Sequence, residues 1–129
     1  MTAAKRFVFI VDVGFLVYWS IIAFGLLPAE HLFKDYDNAI IQDWNLSFLP
    51  LDLAISATGL TALWLQRRGD PAWRTLLTVS MTLTFCSGLQ AIAFWALRQD
   101  FDPLWWLPNL ILMLGPVWLL PRALGDAPT

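Results

Sequence analysis

At 129 residues with a formal net charge of −2, the chain has the size of one domain and lacks the positive charge that nucleic-acid binding requires. Hydrophobic residues make up 58 % of it and charged residues only 14 %, which excludes an ordinary water-soluble composition. We therefore expect a single membrane domain over residues 1–129, with the lipid bilayer as its main partner and no nucleic acid.

Four apolar runs follow one another along the chain, at residues 7–27, 46–65, 75–97 and 104–120. Each run is close to the roughly 20 helical residues that cross about 30 Å of hydrocarbon. The runs predict an all-α membrane protein, an up-down four-helix transmembrane bundle.

The segment between the first two runs, residues 28–45, has a different pattern. It carries acidic residues on one side, and its apolar residues recur at roughly helical spacing. This pattern predicts a short amphipathic helix on the outer membrane surface between helices 1 and 2. The apolar positions are Leu32, Phe33, Tyr36, Ile40, Ile41 and Trp44.

The stretch "RRGDPAW" predicts a tight turn between the second and third helices. Gly69 suits the left-handed position just after a helix, and Asp70 with Pro71 is typical of a helix start. The same Asp-Pro pair recurs at Pro103, so the fourth helix is expected to begin there.

Two prolines, Pro108 and Pro116, then fall inside the fourth helix. Each removes one helical hydrogen bond, so we expect kinks there. Small residues in the third helix, Ser80, Thr84 and Gly88, have the four-residue spacing that lets another helix approach closely.

Basic residues are distributed unevenly between the two sides that such a bundle would present. By the positive-inside rule, the side with more of them is cytoplasmic, so both termini are expected to face the cytoplasm. Six basic residues fall on the side of the termini and two on the other: Lys5, Arg6, Arg67, Arg68, Arg74 and Arg122 against Lys34 and Arg98.

Four stretches of the chain are similar to a known family: "VDVGFLVYW", "LFKDYDN", "WNLSFLPLDLAISATGL" and "TFCSGLQAIAFWALRQDFDPLWWLPNL". Together they resemble the YvaD-like family of small bacterial four-span membrane proteins, over nearly the whole chain. The resemblance implies a four-span topology and a bacterial plasma-membrane location. The family is uncharacterised, so it implies no activity and no catalytic residue.

Two carboxylates, Asp12 and Asp52, lie inside apolar runs. A charged side chain near the bilayer centre costs about 2.5 to 3.5 kcal/mol on insertion scales, so such residues usually face the bundle interior. Residues of the other helices at the depth of Asp52 predict a polar ligand site in the outer half of the bundle. The predicted site residues are Asp52, Gln90, Asn109, Ser87, Tyr18, Trp19 and Trp95.

Both acids also have a purely structural interpretation. Asp52 would lie in the early turns of helix 2, capped by Asn45 or Ser47, where the helix dipole favours a negative charge. Asp12 would turn outward to the membrane interface near Lys5 or Arg6, as the alternative to facing the bundle interior.

The sequence supports three hypotheses of function. The first is a non-enzymatic binding or accessory protein that takes a small amphiphile or a cation, or docks a membrane partner. The second is an enzyme on a lipid-like substrate with Asp52 as general acid or base, and the third is an oligomeric proton or cation conductor that uses Asp12 and Asp52. The chain has one histidine, His31, and one cysteine, Cys86, so we expect no metal site and no cofactor.

Overall fold

The computed structural model describes residues 2–26 and 37–125, which form four α-helices. The helices are α1 (Thr2–Phe24), α2 (Ala39–Arg67), α3 (Trp73–Leu97) and α4 (Pro103–Gly125). At 1.5 Å per residue they are about 34 Å (α1 and α4), 43 Å (α2) and 37 Å (α3) long. Each is long and apolar enough to cross a membrane, which confirms the prediction of four such helices.

Helix α2 begins seven residues before its predicted start, at Ala39 instead of residue 46. Asn38 is the reason, because its side-chain oxygen accepts hydrogen bonds from the backbone N–H groups of Ile40 (2.9 Å) and Ile41 (3.3 Å). The prediction of a separate surface helix was therefore wrong from Ala39 onward, where the chain forms the first two turns of α2. The rest of that helix, residues 28–36, lies outside the described residues.

The turn between α2 and α3 has the geometry that "RRGDPAW" predicts. Gly69 has a φ of +73°, and the N–H of Asp70 donates to the carbonyl of Leu65 across the end of α2. The Asp70 carboxylate accepts from the N–H of Ala72 at 2.9 Å, just before α3 begins at Trp73.

Helix α4 begins at Pro103, as predicted. The Asp102 carboxylate accepts a hydrogen bond from the N–H of Leu104 at 3.0 Å. Both predicted interior prolines, Pro108 and Pro116, lie within this helix. The kinks expected at them stay a prediction.

Helix α4 packs very closely on α3 at Gly88. A Cβ atom on Gly88 would lie 2.5 Å from the carbonyl oxygen of Asn109 and 2.6 Å from the backbone nitrogen of Met113. The close helix approach predicted from the small residues Ser80, Thr84 and Gly88 is confirmed at Gly88, and all three residues are buried.

The main apolar core lies at one end of the bundle. It joins residues near the start of α1 and α3 to residues near the end of α2 and α4. Its buried residues are Ala4, Val8, Ala62, Trp73, Leu77, Met81 and Ala123.

Large apolar side chains are exposed along all four helices, for example Leu16, Leu53, Val79 and Leu114. In water this much exposed apolar surface would cause aggregation, whereas hydrocarbon solvates it. The outer faces of the helices therefore suit a lipid environment.

Candidate ligand cavity

Asp52 is buried in the fourth turn of α2, where only 4 % of its surface is exposed. The indole N–H of Trp19 on α1 donates to Asp52 Oδ2 at 2.9 Å. Among the described residues, Asp52 Oδ1 has no hydrogen-bond partner. One carboxylate oxygen is thus held by α1, while the other has no partner in the part of the chain that the structure describes.

The structural interpretation of Asp52 as a residue near the start of its helix was wrong. Neither proposed cap acts as one, because Asn45 Oδ1 accepts from the hydroxyl of Tyr18 (3.1 Å) and Ser47 Oγ donates to the carbonyl of Trp44 (2.6 Å). The helix-dipole effect falls off within the first turn, so at the fourth turn it does not stabilise the Asp52 charge.

A cavity of about 400 Å³ adjoins Asp52, at the end of the bundle opposite the apolar core. All four helices contribute to its walls, and seven of its sixteen described lining residues are aromatic. The aromatic residues are Phe15, Tyr18, Trp19, Trp44, Phe48, Trp95 and Trp105. Trp44 stacks on Phe94 with ring centroids 4.2 Å apart, which fixes one wall.

The cavity brings together most of the side chains that the sequence predicts for the site. Six of the seven line it: Asp52, Asn109, Ser87, Tyr18, Trp19 and Trp95. Gln90 does not, because it is exposed on the outside of α3. Gln90 was included for its depth along the membrane and for its amide group, and neither property determines which face of a helix a residue occupies.

Asn109 lines the cavity without contacting the carboxylate. Its side-chain amide donates to the carbonyl of Trp105 at 2.7 Å, within its own helix. In the described chain no hydrogen bond joins Asn109 to Asp52. The carboxylate is instead held by the indole N–H of Trp19. Trp19 was predicted to lie at the site, but not to bond Asp52.

Asp12 faces the bundle interior, with 1 % of its surface exposed, so of the two orientations considered for it the outward one toward the interface is not adopted. Its Oδ2 atom lies against Gly59 and has no hydrogen-bond partner among the described residues. Ser56 Oγ donates to the main-chain carbonyl of Asp12 at 2.8 Å, and Ser80 lies beside Gly59.

Sequence reasoning missed Ser56 and Gly59 as the surroundings of Asp12. Both lie on one face of α2 at a spacing of three residues, which is a signal for close helix packing. Gly59 leaves the space that the Asp12 carboxylate occupies, since a Cβ there would overlap Oδ2.

Among the described lining residues of the cavity, the only ionisable side chains are the Asp52 carboxylate and the Tyr18 phenol. No group of three metal-binding side chains occurs in residues 2–26 and 37–125. The chemistry that the cavity offers is therefore one carboxylate within aromatic walls.

A family model, "Family of unknown function (DUF5360)", matches residues 4–128 of the chain. "Uncharacterized protein YvaD" from Bacillus subtilis (strain 168) is 42 % identical over 126 residues, which cover 98 % of this chain and 95 % of that protein. The chain belongs to this family of unknown function. The resemblance to YvaD-like proteins is thereby confirmed, and no solved structure matches the chain.

Neither description states an activity for the DUF5360 family. The four apolar helices indicate a multi-pass membrane protein, and the relative from Bacillus subtilis indicates a bacterial one.

Proposed function

We propose that this protein binds a hydrophobic organic cation in the aromatic cavity, with the Asp52 carboxylate as its counter-ion. The observation that carries the proposal is the burial and incomplete hydrogen bonding of the Asp52 carboxylate. It is buried beside the cavity, it receives one hydrogen bond from Trp19, and its Oδ1 has no partner in the described chain.

Charge balance supports a cationic ligand. A buried carboxylate is costly unless it is protonated or paired with a positive charge. The described lining residues include no Lys, Arg or His that would pair with Asp52. A bound cation would supply the missing charge.

The walls and the size of the cavity support the same ligand class. Aromatic faces attract cations, by about 0.5 to 2 kcal/mol per contact depending on how far the contact is desolvated. Seven aromatic residues surround the space, and about 400 Å³ lies within the usual range for small-molecule sites. The ligand would thus be an amphiphile with a delocalised or alkylated cation.

The two alternative functions have less support. A lipid-modifying enzyme would be favoured by two acids within reach of one substrate, yet Asp52 is the only carboxylate among the described lining residues. A conductor that uses both acids would need a path between them, and Asp12 does not line the cavity.

We further propose that the bundle has an up-down topology, lies in the bacterial plasma membrane and has both termini in the cytoplasm. The excess of six basic residues over two on the side of the termini supports this orientation. The cavity would then open in the outer half of the membrane, where an amphiphile from the outer leaflet or from outside the cell would enter.

The test is binding of tetraphenylphosphonium to the purified protein in detergent micelles, measured by calorimetry and by tryptophan fluorescence. We expect saturable binding that weakens at least tenfold in Asp52→Asn, because the amide carries no charge. Asp12→Asn is the matched control, since it removes a buried carboxylate that does not line the cavity, and it should bind as the wild type does.

The neutral analogue triphenylphosphine oxide separates charge from hydrophobicity. It should bind the wild type and Asp52→Asn equally and weakly. Equal affinity of tetraphenylphosphonium for wild type and a folded Asp52→Asn variant would overturn the proposal. If Asp52→Asn does not fold, Ser87→Leu, which fills the cavity without changing charge, should abolish binding instead.

A further inference from the structure

A second concave surface lies far from the aromatic cavity, between the first turns of α1 and the last turns of α2. It is a groove of about 450 Å³ and shares no lining residue with the cavity. Its lining residues are Lys5, Arg6, Phe9, Ile10, Leu60, Leu63, Trp64 and Arg67.

The lining residues are ordered from polar to apolar along the helices. Lys5 and Arg6 near the start of α1 and Arg67 at the end of α2 form the basic end of the groove. Apolar side chains follow toward the middle of both helices, as far as Leu60. Since Leu60 lies seven positions before Arg67, the groove runs about 10 Å along α2.

The three positive charges have no ion-pair partner in the described chain. Other basic residues at this end of the bundle are engaged with the protein itself. Arg74 donates to the carbonyl of Leu124 at 3.1 Å, and the Arg122 guanidinium lies 3.5 Å from the centre of the Trp118 ring.

The apolar part of the groove is uncovered. Phe9 is 56 % exposed, Ile10 69 % and Trp64 52 %, so the described chain does not bury these side chains. Long flexible basic side chains often reach the membrane surface singly, without any site. Here three of them line one end of one concave apolar surface. The basic end is complementary to the headgroup of an anionic lipid, and the apolar part is complementary to an acyl chain.

We propose that the groove holds one anionic phospholipid. Its phosphate lies among Lys5, Arg6 and Arg67, and one acyl chain lies along Phe9, Ile10 and Trp64. Anionic headgroups attract such basic clusters, and desolvation beside the apolar groove strengthens the attraction. This site is independent of the cation bound at Asp52.

The test is native mass spectrometry of the purified protein in detergent, titrated with phosphatidylglycerol or with phosphatidylcholine of the same acyl chains. We expect the first phosphatidylglycerol molecule to bind at least tenfold more tightly than phosphatidylcholine. Arg6→Gln with Arg67→Gln should remove that preference. Arg98→Gln, which neutralises a basic residue at the opposite end of the bundle, should retain it.

A second variant tests the acyl-chain part of the site. Trp64→Ala keeps all three charges and should weaken phosphatidylglycerol binding severalfold. Circular dichroism reports whether each variant is folded. Equal retention of the two lipids by the wild type would overturn the proposal, as would an equal loss in Arg98→Gln or unchanged binding in a folded Trp64→Ala variant.

Discussion

At the scale of single residues, the pair of Trp19 and Asp52 links α1 to α2 in the bundle interior. The carboxylate has one direct partner in the described chain, so the indole N–H contributes more here than a typical surface hydrogen bond. Leaving a buried donor or acceptor unsatisfied costs about 1 to 3 kcal/mol, whereas replacing both partners by apolar groups is nearly neutral.

The difference between removing one partner and replacing both can be tested with a double-mutant cycle. Trp19→Phe and Asp52→Leu should each destabilise the protein in reversible unfolding by sodium dodecyl sulfate, because each leaves the other partner unpaired. The double variant should lose less than the sum of the two, with a coupling of about 1 to 3 kcal/mol. Trp118→Phe, an exposed site on α4, serves as the control, and additive losses at 19 and 52 would contradict the pairing.

At the scale of the helices, α2 and α3 end in the same motif with different residues. In both, the residue after the cap has a positive φ, +73° at Gly69 and +55° at Gln99. In both, the next N–H bonds back across the last turn, from Asp70 to Leu65 and from Asp100 to Trp95, each at 3.0 Å. Only at Gly69 is the residue free of the steric cost of that conformation.

Substitution of Gln99 by Gly should therefore stabilise the protein by about 0.5 to 1 kcal/mol, and Gly69→Ala should destabilise it by a similar amount. Thermal unfolding in micelles, followed by circular dichroism, measures both changes. The control is Gly14→Ala, an exposed position in the interior of α1 with nothing within 4 Å of a Cβ, where Ala should be neutral or stabilising. A Gln99→Gly variant that unfolds more readily would contradict the argument.

At the scale of the whole molecule, the two proposed binding sites occupy opposite ends of the bundle. The cavity is lined by late residues of α1 and early residues of α2, whereas the groove is lined by early residues of α1 and late residues of α2. Among the described residues, the first site contains one carboxylate, and the second contains three basic residues without an ion-pair partner. Orientation in the membrane would therefore place the two sites at different membrane surfaces.

The proposed orientation is tested with topology reporters in living bacteria. Green fluorescent protein fused to either terminus should fluoresce, because it folds in the cytoplasm. Alkaline phosphatase inserted after Arg98, between α3 and α4, should be active because it would lie outside. Active phosphatase at either terminus would contradict the proposal.

The sequence by itself determined the four helices, the turn between α2 and α3 and the start of α4, because apolar length and the local chemistry of Gly, Asp and Pro act over a few residues. Six of the seven side chains that the sequence predicts for the site line one cavity, because matching residues by depth selects the right level of each helix. Only the tertiary structure decided which face each residue occupies. The rotation of each helix about its own axis places Gln90 on the outside of the bundle and Asp12 inside, against Gly59. It also places the indole of Trp19 where it can donate to Asp52. Packing between helices sets rotation about each helix axis, and no local sequence signal specifies it.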